Sequence, residues 1–471
     1  MKTTRFLFIL LFIAISYNSF SQCWKEIVAG AEHTIALKTD GTLWAWGNND
    51  NGQLGDGTTI SKNIPTQIGT DSDWAIIESM TESTFAIKTD GSLWAWGINS
   101  FGQLGDGNFG IGTISNIPIR IGLDNDWIKV SSGDVVTHGI KSNGTLWGWG
   151  KNTDGRLGTG DILPHYTPFQ IGTDSDWIDV SSGGNQTLAL KANNTLWGWG
   201  KNKAGSLAIG PPSESNYIIT PTQTGNNTAD WAIVEVGGCC SSKIIKTDGS
   251  LWAMGLGTNG NLGNGGTDDV NTPTQVGIDT DWMIVSTSNS SCAIKDNGTL
   301  WSWGGNFQGQ IGDGTFVNRT SPIQIGTNIT WEVVKASPFH VVALSSENTL
   351  YAWGRNDSGQ LGDGTLINKA VITQVGNACL LNTTGFENIQ SLQVVPNPTA
   401  NFVTVHFQIS QSADVTFTIT NALGQIVYNK ITQYMLGKNQ ESIDLNALAT
   451  GVYYLSLRSN NQLKNIKIIK K

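Results

Sequence analysis

A five-residue string, Leu-Trp-x-Trp-Gly, returns along this chain at a near-constant interval, and that period constrains the fold more than any single residue does. It occurs at Leu43-Trp44-Ala45-Trp46-Gly47, Leu93–Gly97, Leu146–Gly150, Leu196–Gly200 and Leu300–Gly304. Two variants, Leu251-Trp252-Ala253-Met254-Gly255 and Leu350-Tyr351-Ala352-Trp353-Gly354, complete the set. The first aromatic falls at 44, 94, 147, 197, 252, 301 and 351, in steps of 50, 53, 50, 55, 49 and 50. A second tryptophan series at 24, 74, 127, 177, 231, 282 and 331 keeps the same period. Seven repeats therefore run from 24 to 379.

Each repeat holds several strand candidates, which in the first are Trp24–Ala29, Thr34–Lys38, Thr42–Trp46 and Pro65–Ile68. The second and third are joined by Thr39-Asp40-Gly41, recurring as Thr89-Asp90-Gly91, Ser142-Asn143-Gly144, Thr247-Asp248-Gly249 and Asp296-Asn297-Gly298. Asp-Gly and Asn-Gly tolerate the positive φ of tight turns, so the pair reads as a β-hairpin. Along Thr42–Trp46, Trp44 and Trp46 point to one face of the strand and Leu43 and Ala45 to the other. Both faces are apolar, which a strand sustains only when covered on both sides. Small four-stranded sheets stacked face to face around an axis meet that demand, and closing the ring protects their edges. The pattern predicts an all-β chain built on a seven-bladed β-propeller.

Composition narrows the class further. Gly supplies 57 of 471 residues and Trp 19, while only 14% are charged, against roughly 25% in an ordinary soluble domain. Such a chain is neither disordered nor a coiled coil. Residues 22–380 carry 19 basic and 33 acidic side chains, a net of −14, whereas 381–471 carry seven and four, a net of +3. Nucleic-acid affinity comes largely from Lys and Arg neutralising phosphates, so the acidic body excludes that partner. Lys2 and Arg5 precede an apolar run from Phe6 to Ile15, followed by Ser19-Phe20-Ser21. This layout predicts a signal peptide over 1–21, cleaved after Ser21. A lipoprotein would need a small residue before Cys23, where the chain has Gln22. No other segment approaches roughly 18 continuous apolar residues, so no transmembrane segment is expected in the mature chain.

The loop after each third strand also repeats, as Asn49-Asp50-Asn51-Gly52-Gln53-Leu54-Gly55-Asp56-Gly57-Thr58, with close copies at Asn99–Gly107, Asn306–Thr315 and Asn356–Thr365. Looser copies lie at Asn152–Gly160 and Gly257–Thr267, and the fourth departs as Ser206-Leu207-Ala208-Ile209-Gly210-Pro211-Pro212. The string lacks the alternating ligands and bidentate Glu of a calcium loop, and opens no helix to cradle a phosphate. A structural role is expected, with glycines for positive φ, Leu54 plugging the blade and Asp56 capping backbone amides. From Gly30 to Gly57 the chain reads Gly-x-x-His-Thr-x-Ala-Leu, then Asp-Gly, then Leu-Trp-x-Trp-Gly-x-Asn-x-x-Gly-Gln-Leu-Gly-Asp-Gly. This resembles the regulator-of-chromosome-condensation repeats, and the resemblance implies the propeller fold. For function it implies little, since that family includes nuclear exchange factors, plant receptors, bacterial β-lactamase inhibitors and uncharacterised surface proteins. An exported acidic propeller does not fit chromatin binding or nucleotide exchange, and no exchange-factor residue is carried over.

The repeats stop after Cys379. A polar linker is expected over 381–393 and a second unit over 394–471, opening at Val394-Val395-Pro396-Asn397-Pro398-Thr399. Alternating runs at Phe402–Ile409, Asp414–Thr420, Gln425–Asn429, Val452–Leu457 and Ile466–Lys471 predict a small C-terminal β-sandwich. The unit resembles the type A sorting domain of the type IX secretion system of Bacteroidota. Pro396, Asn397 and Pro398, Gly424 and Gln425, Ile443, Asp444 and Leu445, Gly451, Val452 and Tyr453, and the terminal Lys470 and Lys471 carry that resemblance. It implies passage across the outer membrane through the type IX machinery, followed by removal of the unit or its exchange for a surface anchor. A carbohydrate-binding sandwich is the alternative reading.

Chemistry is sparse. His33 and His340 share a repeat column otherwise filled by Ser83, Val136, Gln186, Ser241 and Ser290, so no histidine ring forms, and His138, His165 and His406 stand apart. Gly-x-Ser-x-Gly, His-Glu-x-x-His and Cys-x-x-Cys are absent. Asp56, Asp106, Asp313 and Asp363 sit in turn-capping contexts. No catalytic residue, metal or cofactor is assigned. Cys23 precedes the first repeat and Cys379 follows the last strand, so ring closure brings them together, and an exported protein would oxidise them to a closing disulfide. Cys239, Cys240 and Cys292 lie in repeats five and six, where a bond between any two of them leaves an odd thiol. Function is expected at the loops that vary between blades, Asn108–Ile117, Asp161–Thr167 and Pro211–Ile219, where Phe109, Tyr166 and Tyr217 are candidate protein-contact aromatics. The leading reading is a secreted or cell-surface, non-enzymatic protein-binding propeller, serving adhesion, recognition or inhibition, whose partner is an unidentified extracellular protein or surface ligand. The alternative is a glycan-active extracellular enzyme, which needs acids, His or Tyr converging on the inner strands with shifted pKa values.

Overall fold

The computed structural model describes residues 23–212, 217–224, 228–238, 240–376, 389–409, 412–421, 426–459 and 462–471. The expected signal peptide, Cys239, Cys379, most of the expected linker and Gly424 lie outside them. The chain divides into two compact units, Met1–Cys379 and Leu380–Lys471.

The first unit is a ring of seven four-stranded antiparallel sheets, each drawn from one contiguous stretch: 24–68, 74–120, 127–170, 177–223, 231–275, 282–325 and 331–374. In blade one the strands are β1 (Trp24–Ala29), β2 (His33–Lys38), β3 (Leu43–Gly47) and β4 (Lys62–Ile68), paired in that order from the axis outward. The two tryptophan series meet within each blade. Trp24 stands at a steep angle to Trp44, ring centroids 6.0 Å apart, and the other six blades repeat the pairing. Edge-to-face geometry is the favourable one for two aromatic quadrupoles.

The loop string does more than plug its own blade. Leu54 packs with Trp74 and Trp96 of the next blade, and Trp96 Nε1 donates to Gln53 O at 2.9 Å. Gly57 and Asn116, in blades one and two, exchange two hydrogen bonds, Gly57 N to Asn116 O at 2.8 Å and Asn116 Nδ2 to Gly57 O at 2.9 Å. Each such loop is thus a rivet across a seam between blades. The glycine after the leucine is obligatory where a tryptophan faces it: Gly362 has φ +72°, and a β-carbon there would lie 2.6 Å from Trp46 Nε1. Asp56 caps the loop as expected, its Oδ1 accepting from Thr58 N at 2.9 Å.

The ring closes by the same means. Ile27, Ala36 and Trp46 of blade one form one cluster with Val342, Leu344, Leu350, Ala352 and Leu361 of blade seven. Trp46 Nε1 donates to Gln360 O at 3.0 Å, and Arg355 pairs with Glu32 at 2.6 Å. Among the described residues no strand crosses from one blade to another, so closure rests on side chains and loops rather than on a shared ladder. Cys23 is buried and disulfide-bonded.

The second unit is a sandwich. A three-stranded sheet of Ile389–Val395, Phe402–Ile409 and Gly437–Asp444 faces a four-stranded one of Ile426–Tyr434, Ala413–Asn421, Gly451–Ser459 and Gln462–Lys470. Val405, Phe407, Phe417, Ile419, Leu455 and Leu457 fill the space between them. Two strands differ from expectation. Ile389–Gln393, assigned to the linker, pairs with Phe402–Ile409 as an edge strand. Gly437–Asp444 is also a strand, although its sequence Gly-Lys-Asn-Gln-Glu-Ser-Ile-Asp carries a single aliphatic side chain, because an edge strand needs little apolar surface.

Candidate functional site

The inner strands place six charged side chains around the axis: Glu26, Glu78, Lys129, Asp179, Glu235 and Lys335, all half-buried. Lys129 pairs with Asp179 at 2.6 Å, and Lys335 of blade seven reaches Glu235 of blade five at 3.9 Å. Burial raises the Glu78 carboxyl to about 7, against the opposing pull of Lys335 and Lys129. Burial also raises Glu26 and Glu235. Carboxylates do converge on the inner strands, then, but lysines engage them from across the channel. The channel opens among Gly30, Thr81, Ser288 and Pro338, and its interior holds about 100 Å³, well short of the roughly 300–1,000 Å³ of a small-molecule site.

The three buried histidines join neighbouring blades. His33 Nε2 meets Thr84 Oγ1 at 2.9 Å, His340 Nε2 meets Thr34 Oγ1 at 2.9 Å, and His138 Nδ1 meets Ser182 Oγ at 2.8 Å. Burial lowers His33 and His340 to about 3 and His138 to about 4. A base whose folded pKa is depressed stabilises the fold fully above its unfolded pKa of about 6.5, and that stability is lost as pH falls toward the folded value. His340→Gln is therefore expected to be less stable than the parent at pH 7.5, with the gap narrowing by about 1.4 kcal/mol per pH unit between about pH 6 and 4. Denaturant titrations across that range measure it; a gap independent of pH would mean that His340 is charged in the folded protein.

On the face carrying the hairpin turns, each blade from two to six holds a lysine between two tryptophans and the acids that open its repeat. Lys88 Nζ lies 2.6 Å from Asp71 and 3.1 Å from Asp73, and 4.7 and 4.9 Å from the Trp74 and Trp94 ring centroids. Lys141, Lys191 and Lys295 repeat the clamp with Asp124 and Asp126, Asp174 and Asp176, and Asp279 and Asp281, and Lys246 pairs with Asp230. Much of the acidic excess is thus structural. The sequence held a signal for this clamp: repeat seven lacks Asp-x-Asp before Trp331 and has Ser345 where the others have lysine.

The opposite face carries the riveting loops, and there the candidate aromatics stand. Phe109 of blade two stacks on Tyr166 of blade three, centroids 3.8 Å apart and planes within 12°. Tyr217 begins the outer strand of blade four and joins neither. A feature absent from the sequence reading surrounds the stacked pair. After the Gly-Asp-Gly or its equivalent in five blades, the chain exposes large apolar side chains: Ile60, Ile111, Leu163, Phe316 and Leu366 in blades one, two, three, six and seven. In blade five the equivalent segment is Gly266-Thr267-Asp268-Asp269. Because the ring is closed, blades six, seven, one, two and three are consecutive, and together their loop tips form an arc of exposed apolar side chains.

In the sandwich, the residues of both ends meet. Asn397 Nδ2 donates to Lys467 O at 2.6 Å while Asn397 Oδ1 accepts from Ile469 N at 2.9 Å. Thr399 pairs with the final strand, and Lys470 Nζ donates to Ala400 O. Pro396 and Pro398 flank this asparagine clip. Tyr453 OH donates to Ala449 O at 2.8 Å beside Gly451, and Asp444 Oδ1 caps Asn446 N at 2.8 Å. Lys471 ends the chain exposed.

Comparison with known proteins follows these divisions. The RCC1-like domain family matches residues 19–288, and regulator of chromosome condensation (RCC1) repeats match 297–344 and 347–376. The secretion system C-terminal sorting domain matches 393–471. The ultraviolet-B receptor UVR8 of Arabidopsis thaliana is 28% identical over 149 residues, which is 31% of this chain and 33% of that protein. The chain thus spans about a third of the length of this curated relative. Among solved structures, Prp20p of Saccharomyces cerevisiae superposes with a TM-score of 0.64 at 18% identity, covering 79% of this chain and 90% of that one. Human WBSCR16 gives 0.51 at 20% identity, covering 76% and 83%. Likeness at this identity establishes the fold. Among the described residues no helix is long and apolar enough to cross a membrane.

Proposed function

This chain belongs to the RCC1-like domain family and ends in a type IX sorting domain, and from that premise we propose that it is an exported, non-enzymatic propeller that binds a protein partner through the apolar arc of its loop face. On this reading the chain loses the signal peptide 1–21 and the sorting module and works secreted or on the outer cell surface. The arc is the observation that carries it. Large apolar side chains exposed at the loop tips of five consecutive blades, six, seven, one, two and three, are the kind of feature that marks an interaction surface. The stacked Phe109 and Tyr166 supply a rigid aromatic anchor within it. Prp20p, whose structure was described together with its binding to Gsp1p and histones, is a precedent for protein partners on this fold. The acidic charge of this propeller argues against nucleic acid among them.

A photo-crosslinking residue placed at Ile111 of the exported protein is expected to capture a protein on the producing cells or their targets. The same residue at Leu123 or Ile278, equally exposed but outside the arc, is expected to capture nothing above background. Capture from Leu123 and Ile278 but not from Ile111 would move the interface to the other face. The channel carboxylates favour a second reading, a glycan-active enzyme. Its test is glycan cleavage by the purified propeller that Glu78→Gln abolishes, a result that would replace the binding reading.

A further inference from the structure

The seven seams are not equally made, and their differences concentrate in one sector. At five of them a tryptophan Nε1 donates to a carbonyl of the preceding blade's loop: Trp46 to Gln360 O, Trp96 to Gln53 O, Trp149 to Gln103 O, Trp303 to Asn261 O and Trp353 to Gln310 O, all at 2.9–3.0 Å. Between blades three and four the equivalent Trp199 Nε1 is buried without a hydrogen-bond partner. Between four and five the tryptophan is replaced by Met254, which has no donor. A hydroxyl bond to the corresponding loop carbonyl is also longer across this sector as a whole. Thr34, Thr84 and Thr137 reach theirs at 2.8–2.9 Å, whereas Thr187, Ser242 and Ser291, at the seams entering blades four, five and six, do so at 3.3, 3.1 and 3.4 Å, the longest of them at the seam where Trp303 keeps its bond.

Backbone strain falls in the same place. Among the described residues seven non-glycine positions have positive φ, and Asn194, Ala204, Ala208, Cys240 and Asn259 of these belong to blades four and five. Alanine visits that region reluctantly because its β-carbon crowds the carbonyl. Ala208, at φ +50°, replaces the glycine that every other loop keeps at this position. The two departures explain each other. Where a tryptophan faces the loop, a β-carbon would strike its indole, and where Met254 faces it, alanine fits. The third observation lies one seam further on. Lys243 of blade five is fully buried, and its Nζ has no hydrogen-bond partner. An unpaired ammonium or amine in such surroundings costs stability whichever form it takes.

We propose that the propeller is a ring with a built-in opening seam: it parts first between blades four and five, while the four seams from blade six round to blade three stay closed. Opening there exposes Leu207, Ile244 and Met254, which the closed ring buries. The apolar arc lies on the well-riveted blades, so the seam opens without dismantling it. This opening does not depend on the arc being a binding surface.

Hydrogen exchange of the intact protein, read by mass spectrometry at neutral pH, tests the proposal. Amides of 203–210 and 240–256 are expected to exchange about tenfold or more faster than their counterparts at the seam between blades one and two, 52–57 and 83–98. The double variant Ala208→Gly with Met254→Trp restores the missing donor and its glycine, and is expected to bring that exchange to within about threefold of the other seams. Ala204→Gly alone, which relieves left-handed strain without altering a packed side chain, is expected to slow 203–210 only. Equal exchange at all seven seams, fastest exchange at the seam between blades seven and one, or no response to either variant would overturn the proposal.

Discussion

Deleting the seventh repeat, residues 331–376, leaves a chain that no longer folds cooperatively. The deletion removes both seams of that blade. One buries Trp46 with Leu344, Leu350 and Leu361, and the other buries Trp353 with Val334, Ile325 and Leu300. A buried tryptophan of roughly 200 Å² contributes about 5 kcal/mol, so exposing Trp46 alone, together with its cluster, consumes a net stability that is typically about 5–15 kcal/mol. Nothing in the ladder replaces the loss, because every sheet is complete within its own repeat and, among the described residues, no strand is shared between blades to hold the ring closed. We expect the deletion variant to bind a hydrophobic dye, to be cut throughout by dilute protease and to show no sharp thermal transition. A soluble variant with a single cooperative melt would mean that six blades close on themselves and that the seventh is an accessory.

How far the sequence alone revealed this can be judged residue by residue. The blade was legible because its determinants are local: Thr39-Asp40-Gly41 fixes the hairpin, and the apolar faces of Leu43 to Trp46 demand cover on both sides. The asparagine clip was partly legible, since Asn397 and Lys470 were both singled out, although nothing in the chain order says that residues about seventy apart meet. The rest is relational. Glu26, Glu78, Lys129, Asp179, Glu235 and Lys335 form one network, yet six of the repeats contribute a single charge at one of two alternating positions and the sixth repeat none, so no local motif announces it. Leu54 was read as filling its own blade because only the ring places Trp96 against it. Ala208 and Met254 each stand in the sequence as a departure within one repeat, and only the seam between blades four and five shows them to be a matched pair. The polar edge strand Gly437–Asp444 escaped because it carries almost none of the alternation that marks a half-buried strand.

Export is where loss of one segment has its second very large effect. The sorting module has its own core around Phe407 and Phe417, separate from every cluster of the propeller, and is a compact unit by itself. Its removal therefore leaves the seven seams of the ring intact while taking away the Asn397 clip and the terminal lysines that accompany it. The propeller should remain folded and stay inside. The direct measurement is quantitative mass spectrometry of periplasm, cell surface and culture medium from strains making the full chain or the chain lacking 393–471. For the full chain we expect propeller peptides at the surface or in the medium, with few peptides from 393–471 beside them. For the shortened chain we expect the same propeller peptides only in the periplasm, from protein that melts like the parent. Shortened protein reaching the outside in undiminished amounts would contradict the account, and the sandwich would then have to be read as a binding domain.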